Sequence, residues 1–169
     1  MSVIETERLI LREFVLEDAP FIFELLNSPG WLKYIGPRGV TGLKEAGKYI
    51  TVMMMPGYEK YGFGFYMMVR KNDGAEMGMC GLIKRDSLED VDIGFAILPE
   101  YEGNGYTSEA AAATLVYARD TLNLKRIAGI TVSYNKGSIK LMEKLEMKFE
   151  KMIRLPNDEE ELMLYVREF

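Results

Sequence analysis

The stretch that decides the fold is residues 93–110, which read IGFAILPEYEGNGYTSEA. An apolar strand at its start leads into a loop with Gly103 and Gly105, and this loop opens directly onto a helix. Glycines allow positive φ and a close approach of the backbone, while the first helical turn offers unpaired N–H groups and the positive end of the helix dipole. The stretch therefore predicts a binding site for a phosphate or pyrophosphate.

The spacing of residues in this loop excludes two common phosphate-binding motifs. The chain has no G-x-x-x-x-G-K-[ST] sequence, so a P-loop is not predicted. The G-x-G-x-x-G pattern of dinucleotide-binding folds fails because Ser108 stands where the third glycine would be. The anion site predicted here is therefore of another kind.

Length and composition are those of one globular domain over residues 1–169, with a core that buries roughly two-thirds of the unfolded surface. No apolar run approaches ~18 residues, and the N-terminus lacks the pattern of a signal peptide. We therefore expect a soluble, cytoplasmic protein with no membrane partner. The net charge of −5 argues against nucleic-acid binding, which requires a basic face.

The chain contains no histidine, and its one cysteine is Cys80. Catalysis by Ser-His-Asp or Cys-His groups and metal binding by histidine are excluded, because each needs an imidazole. No metal site is expected. Proton transfer in an enzyme of this composition would depend on carboxylates, hydroxyls, lysine or water.

The hydrophobic pattern predicts an α+β domain with a mixed, mostly antiparallel sheet of about seven strands and about four helices. The middle of the chain alternates with period two and is typical of an antiparallel meander. The predicted strands are 8–12, 65–70, 77–85, 91–98, 126–132, 148–154 and 162–167, and the predicted helices begin near 17, 43, 108 and 136.

Five short segments spread over nearly the whole chain carry a family resemblance. They are TERLILR at 6–12, DIGF at 92–95, GNGYTSEA at 103–110, NKGS at 135–138 and EKL at 143–145. In this combination the chain resembles the GNAT superfamily of acyl-CoA-dependent N-acetyltransferases, and within it the ribosomal-protein-alanine N-acetyltransferases.

The resemblance implies a sheet splayed between strands 91–98 and 126–132, with acetyl-CoA as the co-substrate in the gap. Its pantetheine arm would lie between these strands and its pyrophosphate on residues 103–108. Lys136 and Lys140, one helical turn apart, could reach its 3′-phosphate; the alternative is that both lie on a solvated helix face. The chain departs from the family pattern at Glu102, where arginine or glutamine is usual. The residues implied in cofactor binding are Phe95, Ala96, Ile97, Gly103, Asn104, Gly105, Tyr106, Thr107, Ser108, Asn135 and Lys140.

The resemblance also implies catalytic residues. Asp92 matches the family's acidic position before Ile-Gly and is the first candidate for the base, acting through water; the alternative is a solvated strand carboxylate beside Asp90. Many members have a tyrosine that acts as the general acid at the position where this chain has Met142. Ser138 is therefore the hydroxyl expected to protonate the departing CoA thiolate, with Tyr134 as a second option. The alternative for Ser138 is a helix cap, and Asn135 is expected to bind pantetheine, to cap the helix, or both.

The loop between the first two helices borders the acceptor in this superfamily and carries Trp31, Tyr34 and Arg38. Arg38 is expected to hold a carboxylate or a peptide carbonyl of the acceptor. The alternative is an aromatic loop that folds onto its own core. The sequence does not distinguish a protein N-terminus from a small-molecule amine as the acceptor. It also does not distinguish a monomer from a homodimer.

The function predicted from the sequence is therefore direct transfer of an acetyl group from acetyl-CoA to a primary amine in a ternary complex. A rival from another class is a catalytically silent acyl-CoA-binding sensor, which Glu102 and Met142 favour. A third possibility is an unrelated α+β binding module whose glycine loop is only a turn.

Overall fold

A mixed sheet of eight strands organises the molecule, and the computed structural model describes residues 2–169. The strands are β1 (Ser2–Glu5), β2 (Leu9–Glu13), β3 (Phe65–Arg70), β4 (Glu76–Ile83), β5 (Asp92–Ile97), β6 (Arg126–Val132), β7 (Lys148–Ile153) and β8 (Leu162–Glu168). They are ordered β1-β2-β3-β4-β5-β6-β8-β7, and only β5 and β6 pair in parallel within these residues. The predicted α+β class and mostly antiparallel sheet are confirmed.

Helices cover both faces of the sheet. They are α1 (Ala19–Leu26), α2 (Pro29–Tyr34), α3 (Leu43–Tyr49), α4 (Met55–Tyr61), α5 (Tyr106–Asp120) and α6 (Lys136–Lys144). Among residues 2–169, no helix has the length and apolar character that a membrane crossing requires.

The structure has more elements than the sequence predicted. Strand β1 raises the count from about seven to eight; it is four residues long and mostly accessible, so it carries little hydrophobic pattern. Helix α2 was expected to be loop because it contains Pro29, but proline is tolerated in the first turn of a helix, where its missing N–H is not needed.

The predicted second helix is interrupted by a π-helical turn, Ile50–Met54, which joins α3 to α4. The cause is Pro56, which has no N–H to donate and whose ring clashes with the carbonyl four residues earlier. A widened turn relieves that clash, and such turns occur often at functional sites. Tyr49 and Met54, which flank and end this turn, both line the main cavity.

Each face of the sheet has its own core. On β3 the neighbours Met67 and Met68 are both fully buried but belong to different clusters, because successive strand residues point to opposite faces. Met68 packs with Ala110 and Leu115 of α5, whereas Met67 packs with the cluster under α1 and α3. Burying each side chain of this size contributes roughly 1.5–3 kcal/mol, so both faces hold the sheet in place.

The sheet opens between β5 and β6, as predicted. These strands share a single registered pair, Asp92 opposite Ala128, supported by a 2.9 Å hydrogen bond from the Ala128 N–H to the Val91 carbonyl. On its other side, β5 pairs continuously with β4 from Asp92 to Ile97. The carboxyl-terminal part of β5 is therefore paired on one side and open on the other.

Candidate active site

The glycine loop before α5 has the geometry of an anion site. Gly103 and Gly105 have φ of +77° and +79°, a conformation that glycine adopts without strain. Gly105 directly precedes α5, and no side chain caps this helix start. The first hydrogen bond of α5 runs from the Glu109 N–H to the Gly105 carbonyl at 3.0 Å. The N–H groups of residues 106–108 precede that bond and are available to an anion, aided by the helix dipole.

A partly buried latch of hydrogen bonds ties this loop to the start of β2. The Thr6 hydroxyl and the Arg8 backbone N–H donate to Glu109 Oε1 at 2.6 and 2.9 Å, and Arg8 Nε donates to Oε2 at 2.7 Å. Arg8 Nη1 also donates to the Asn104 carbonyl at 3.0 Å. Partial burial alone would raise the pKa of Glu109, but the bonds from Thr6 and Arg8 lower it. The TERLILR segment and the glycine loop thus form one structural unit.

Guanidinium groups pack against the aromatic rings of the loop. The Arg8 guanidinium lies 4.4 Å from the ring centre of Tyr106, and that of Arg70 lies 5.4 Å from the ring centre of Tyr101. Arg70 Nη1 also donates to the Tyr106 hydroxyl at 3.2 Å. Each cation–π contact contributes about 0.5–1 kcal/mol at an exposed site, so together they restrain the loop.

A cavity of about 610 Å³ lies at the opening between β5 and β6 and reaches the glycine loop. Three predicted residues do not line it. Asn104 instead donates to the carbonyls of Tyr101 and Glu102 at 3.3 and 3.0 Å, Lys140 is exposed, and Tyr134 is 47% exposed. The predicted residues that line the cavity are Trp31, Tyr34, Arg38, Asp92, Phe95, Ala96, Ile97, Gly103, Gly105, Tyr106, Thr107, Ser108, Asn135 and Ser138.

Asp92 is the buried carboxylate of this cavity, with 1% of its surface exposed. Burial raises its pKa to about 6, against the opposing charge of Arg85, whose Nε donates to Oδ1 at 3.2 Å. The neighbouring Asp90 instead pairs with Arg126 at 2.8 Å. A solvated strand carboxylate does not describe Asp92. Its pKa suits a group that gains and loses a proton near neutral pH.

The start of α6 brings Asn135 and Ser138 to the cavity. Asn135 caps the helix, because its Oδ1 accepts the Ser138 backbone N–H at 3.1 Å. The cap therefore belongs to Asn135, and the Ser138 hydroxyl takes no part in it. Met142 is 1% exposed and its sulfur lies close to Gly129, so an apolar side chain fills the place of the superfamily's tyrosine.

Residues between the end of α1 and the end of α3 line another part of the cavity. Trp31 is 5% exposed and donates from Nε1 to the Gly36 carbonyl at 3.1 Å, so it is a core residue as well as a lining one. The ring of Tyr34 packs against that of Tyr134 with centroids 6.0 Å apart. The Tyr134 hydroxyl donates to the Lys33 carbonyl at 3.5 Å, outside the cavity lining.

The predicted site residues did not include several polar residues of the cavity, among them Tyr49, Arg85 and Asp158. No motif marks Tyr49, which lines the cavity from the end of α3. Arg85 had a detectable signal: β4 and β5 were predicted as antiparallel neighbours, and Ile83 is registered opposite Asp92. Residues just past Ile83 must therefore lie close to the Asp92 carboxylate.

Comparison with known sequences identifies the family. A sequence model described as acetyltransferase (GNAT) domain matches residues 8–148, so the chain belongs to the GNAT acetyltransferases. The chain is also 30% identical over 155 residues to the uncharacterized N-acetyltransferase p20 of Bacillus licheniformis, covering 91% of this chain and 86% of that protein. The predicted resemblance is confirmed, and the protein is an N-acetyltransferase.

Solved structures agree with this fold. An acetyltransferase from Agrobacterium tumefaciens superposes with a TM-score of 0.83 at 23% identity, covering 100% of this chain and 95% of that one. The ribosomal L7/L12 α-N-protein acetyltransferase RimL, solved in complex with coenzyme A, superposes with a TM-score of 0.81 at 17% identity, covering 96% and 95% of the two chains. At these identities the likeness establishes the shared fold.

Proposed function

We propose that this N-acetyltransferase moves an acetyl group from acetyl-CoA to a primary amine, either a protein N-terminus or a small-molecule amine, by direct attack in a ternary complex. The observation that carries the proposal is one cavity that joins an uncapped, glycine-flanked helix start to the buried carboxylate of Asp92. The first feature suits a pyrophosphate, and the second suits a proton acceptor.

The residues of the chain fit the donor at three points. The N–H groups of residues 106–108 would bind the pyrophosphate, and the open side of β5 at 95–97 would accept the pantetheine arm. Asn135 uses Oδ1 for the helix cap, which leaves its Nδ2 to bind a pantetheine carbonyl. The complex of RimL with coenzyme A supports the same use of the fold. Contact of Lys140 with the 3′-phosphate stays a prediction.

Acetyl-CoA supplies an activated acyl group, and the chain must supply proton transfers. The acceptor nitrogen forms a bond to the acetyl carbon while the carbon–sulfur bond breaks. An α-amino group has a pKa near ~8 and a lysine amine near ~10.4, so a proton must leave before attack. We assign its acceptance to Asp92 through water, the polarisation of the carbonyl to backbone N–H groups at 95–98, and the return of a proton to sulfur to Ser138.

A covalent acetyl-enzyme is not part of this proposal. Burial raises the pKa of the Cys80 thiol to about 12, and Cys80 packs against the Thr114 hydroxyl at 3.5 Å away from the cavity lining. A thiol of that pKa is a poor nucleophile near neutral pH. Kinetics should therefore follow a ternary-complex pattern. A cytoplasmic location and a monomeric or homodimeric state stay predictions.

Gly105→Val is expected to weaken CoA binding at least tenfold, a loss of about 1.4 kcal/mol or more. The side chain would be strained at φ +79°, and its Cβ would lie 3.4 Å from Arg8 Nη2 while obstructing the phosphate. Isothermal titration calorimetry with CoA measures the change. Gly62→Val is the matched control, because Gly62 has φ +78° and open space around its Cβ but does not line the cavity. Equal CoA affinity in folded Gly105→Val would refute the loop assignment.

Glu102→Gln is expected to change CoA affinity by less than about threefold at physiological salt, since exposed charges are screened over a distance of about 8 Å. Glu102 is exposed, although it replaces the family's arginine or glutamine. The same titration compares Glu102→Gln with Glu100→Gln, an exposed neighbour outside the cavity lining. A hundredfold tightening in Glu102→Gln alone would mean that the native loop repels the pyrophosphate, and the sensor hypothesis would gain.

A further inference from the structure

Arg38 is an arginine without a carboxylate partner. The chain has nine arginines, and in the described residues each of the other eight lies within 4.0 Å of an aspartate or glutamate oxygen. Arg38 Nη1 instead donates to the carbonyls of residues 35–37 at 3.3–3.4 Å. In a chain with 26 acidic residues, a guanidinium that lines the main cavity and pairs with none of them is available to an anion from outside.

Arg85 lines the same cavity and is only partly engaged. Within residues 2–169, its side chain makes one hydrogen bond, from Nε to Asp92 at 3.2 Å. A guanidinium carries five N–H donors in a planar fork, so both Nη groups remain for a second partner. Arg85 can therefore hold Asp92 and contact an anionic group of the acceptor together.

Tyr49 connects the two guanidiniums. It is a partly buried phenol that lines the cavity, and desolvation raises its pKa while the charges of Arg38 and Arg85 act in the opposite direction. Both cations are thus close enough to influence one hydroxyl. Arg38 and Arg85 come from different loops, but both line this one cavity.

Outside the glycine loop, the charged residues that line the cavity have both signs. Asp92 and, from the loop between β7 and β8, Asp158 supply carboxylates, while Arg38 and Arg85 supply guanidiniums. A carboxylate attracts the ammonium form of an amine, and a guanidinium fork matches a planar carboxylate in two hydrogen bonds. The complementary ligand is a molecule that carries both groups.

We infer that the acceptor is an amine that also carries a carboxylate, which Arg38 and Arg85 bind while its nitrogen faces Asp92. This inference rests on the proposed function and narrows its substrate class. The carboxylate can be the α-carboxylate of a free amino acid or the acidic side chain of a peptide's first residue.

Binding in the presence of saturating CoA tests the inference without turnover. Isothermal titration compares the standard L-amino acids with their amides, and aspartyl-glycinamide with asparaginyl-glycinamide. The first set varies the α-carboxylate, and the second varies only a side-chain carboxylate. We expect at least one acid to bind at least tenfold more tightly than its amide.

Arg38→Gln is the most informative variant. Within residues 2–169 Arg38 forms no ion pair, so its replacement leaves no carboxylate without a partner. The variant should lower the ratio of acid affinity to amide affinity at least tenfold and leave the affinity for CoA unchanged. Arg85→Gln should act in the same direction. Arg119→Gln is the control: Arg119 is an exposed residue of α5, paired with Asp120 at 2.6 Å, and should keep the preference.

The inference is overturned if no acid binds, if amides bind as tightly as acids, or if Arg38→Gln keeps the full preference. Its failure is distinguishable from failure of the proposed function. Acetylation of amides as readily as acids would leave the function standing and remove the inference. Preferential binding of acids without any acetylated product from acetyl-CoA would support the inference about the ligand and contradict the proposed function.

Discussion

Asp92→Asn is expected to lower kcat/KM by about 10²–10⁴-fold, the usual contribution of a positioned general base. The amide keeps the shape of the side chain but cannot accept the proton of the amine. In the unmodified protein, burial raises the pKa of Asp92 to about 6, so its basic form dominates at pH 7 and is lost as the pH falls below about 6. The kcat/KM of the unmodified protein should therefore fall about tenfold for each pH unit below about 6. The kcat/KM of Asp92→Asn should not show this fall.

Asp90→Asn is the matched control for that experiment. Asp90 lies two residues earlier and pairs with Arg126 at 2.8 Å, outside the cavity lining. It should retain the pH profile and most of the activity. If Asp92→Asn behaved like Asp90→Asn, then Asp92 would be a structural partner of Arg85 and the base would have to be water alone.

Ser138→Ala is expected to lower kcat by roughly 10²-fold while acetyl-CoA binding stays nearly intact, as for an interaction made mainly in the transition state. The structure makes this substitution informative. The helix cap uses the Ser138 backbone N–H and Asn135 Oδ1, so removing the hydroxyl leaves the cap in place. Steady-state kinetics on one good acceptor gives kcat and KM separately.

Tyr134→Phe is the parallel removal of one hydroxyl. Tyr134 lies outside the cavity lining and donates to the Lys33 carbonyl at 3.5 Å, so we expect removal of its hydroxyl to change kcat by less than about threefold. If Ser138→Ala lowered kcat by less than threefold, the serine would have no part in the mechanism. Water can protonate a thiolate whose pKa is near ~8.5. A large fall for Tyr134→Phe alone would move the role to the tyrosine.

Local chemistry explains which parts of this molecule were predictable. Gly103 and Gly105 specify positive φ by residue type, and the structure has it at both. The period-two pattern predicted β3, β4 and β5 closely, because their core contacts repeat along each strand. The break in the helix that begins at Leu43 was also predictable, because Pro56 cannot continue a helical hydrogen-bond ladder.

Long-range partners were not predictable from local patterns. Arg8 and Glu109 lie 101 residues apart, and nothing near either residue indicates that they form the latch of the glycine loop. Asp92 follows acidic neighbours that favoured a solvated position, yet its strand is central in the sheet and buries it. Tyr49 enters the site only through the tertiary arrangement.

The most direct test of the central claim is a turnover measurement with the purified protein, acetyl-CoA and a pool of amines, amino acids and peptides. Thiol release is followed together with mass spectrometry of the acetylated product. The account predicts amine-dependent thiol release matched by product, lost in Asp92→Asn and reduced in Gly105→Val at limiting acetyl-CoA. Tight CoA binding with no acetylated amine would contradict it and favour the acyl-CoA sensor.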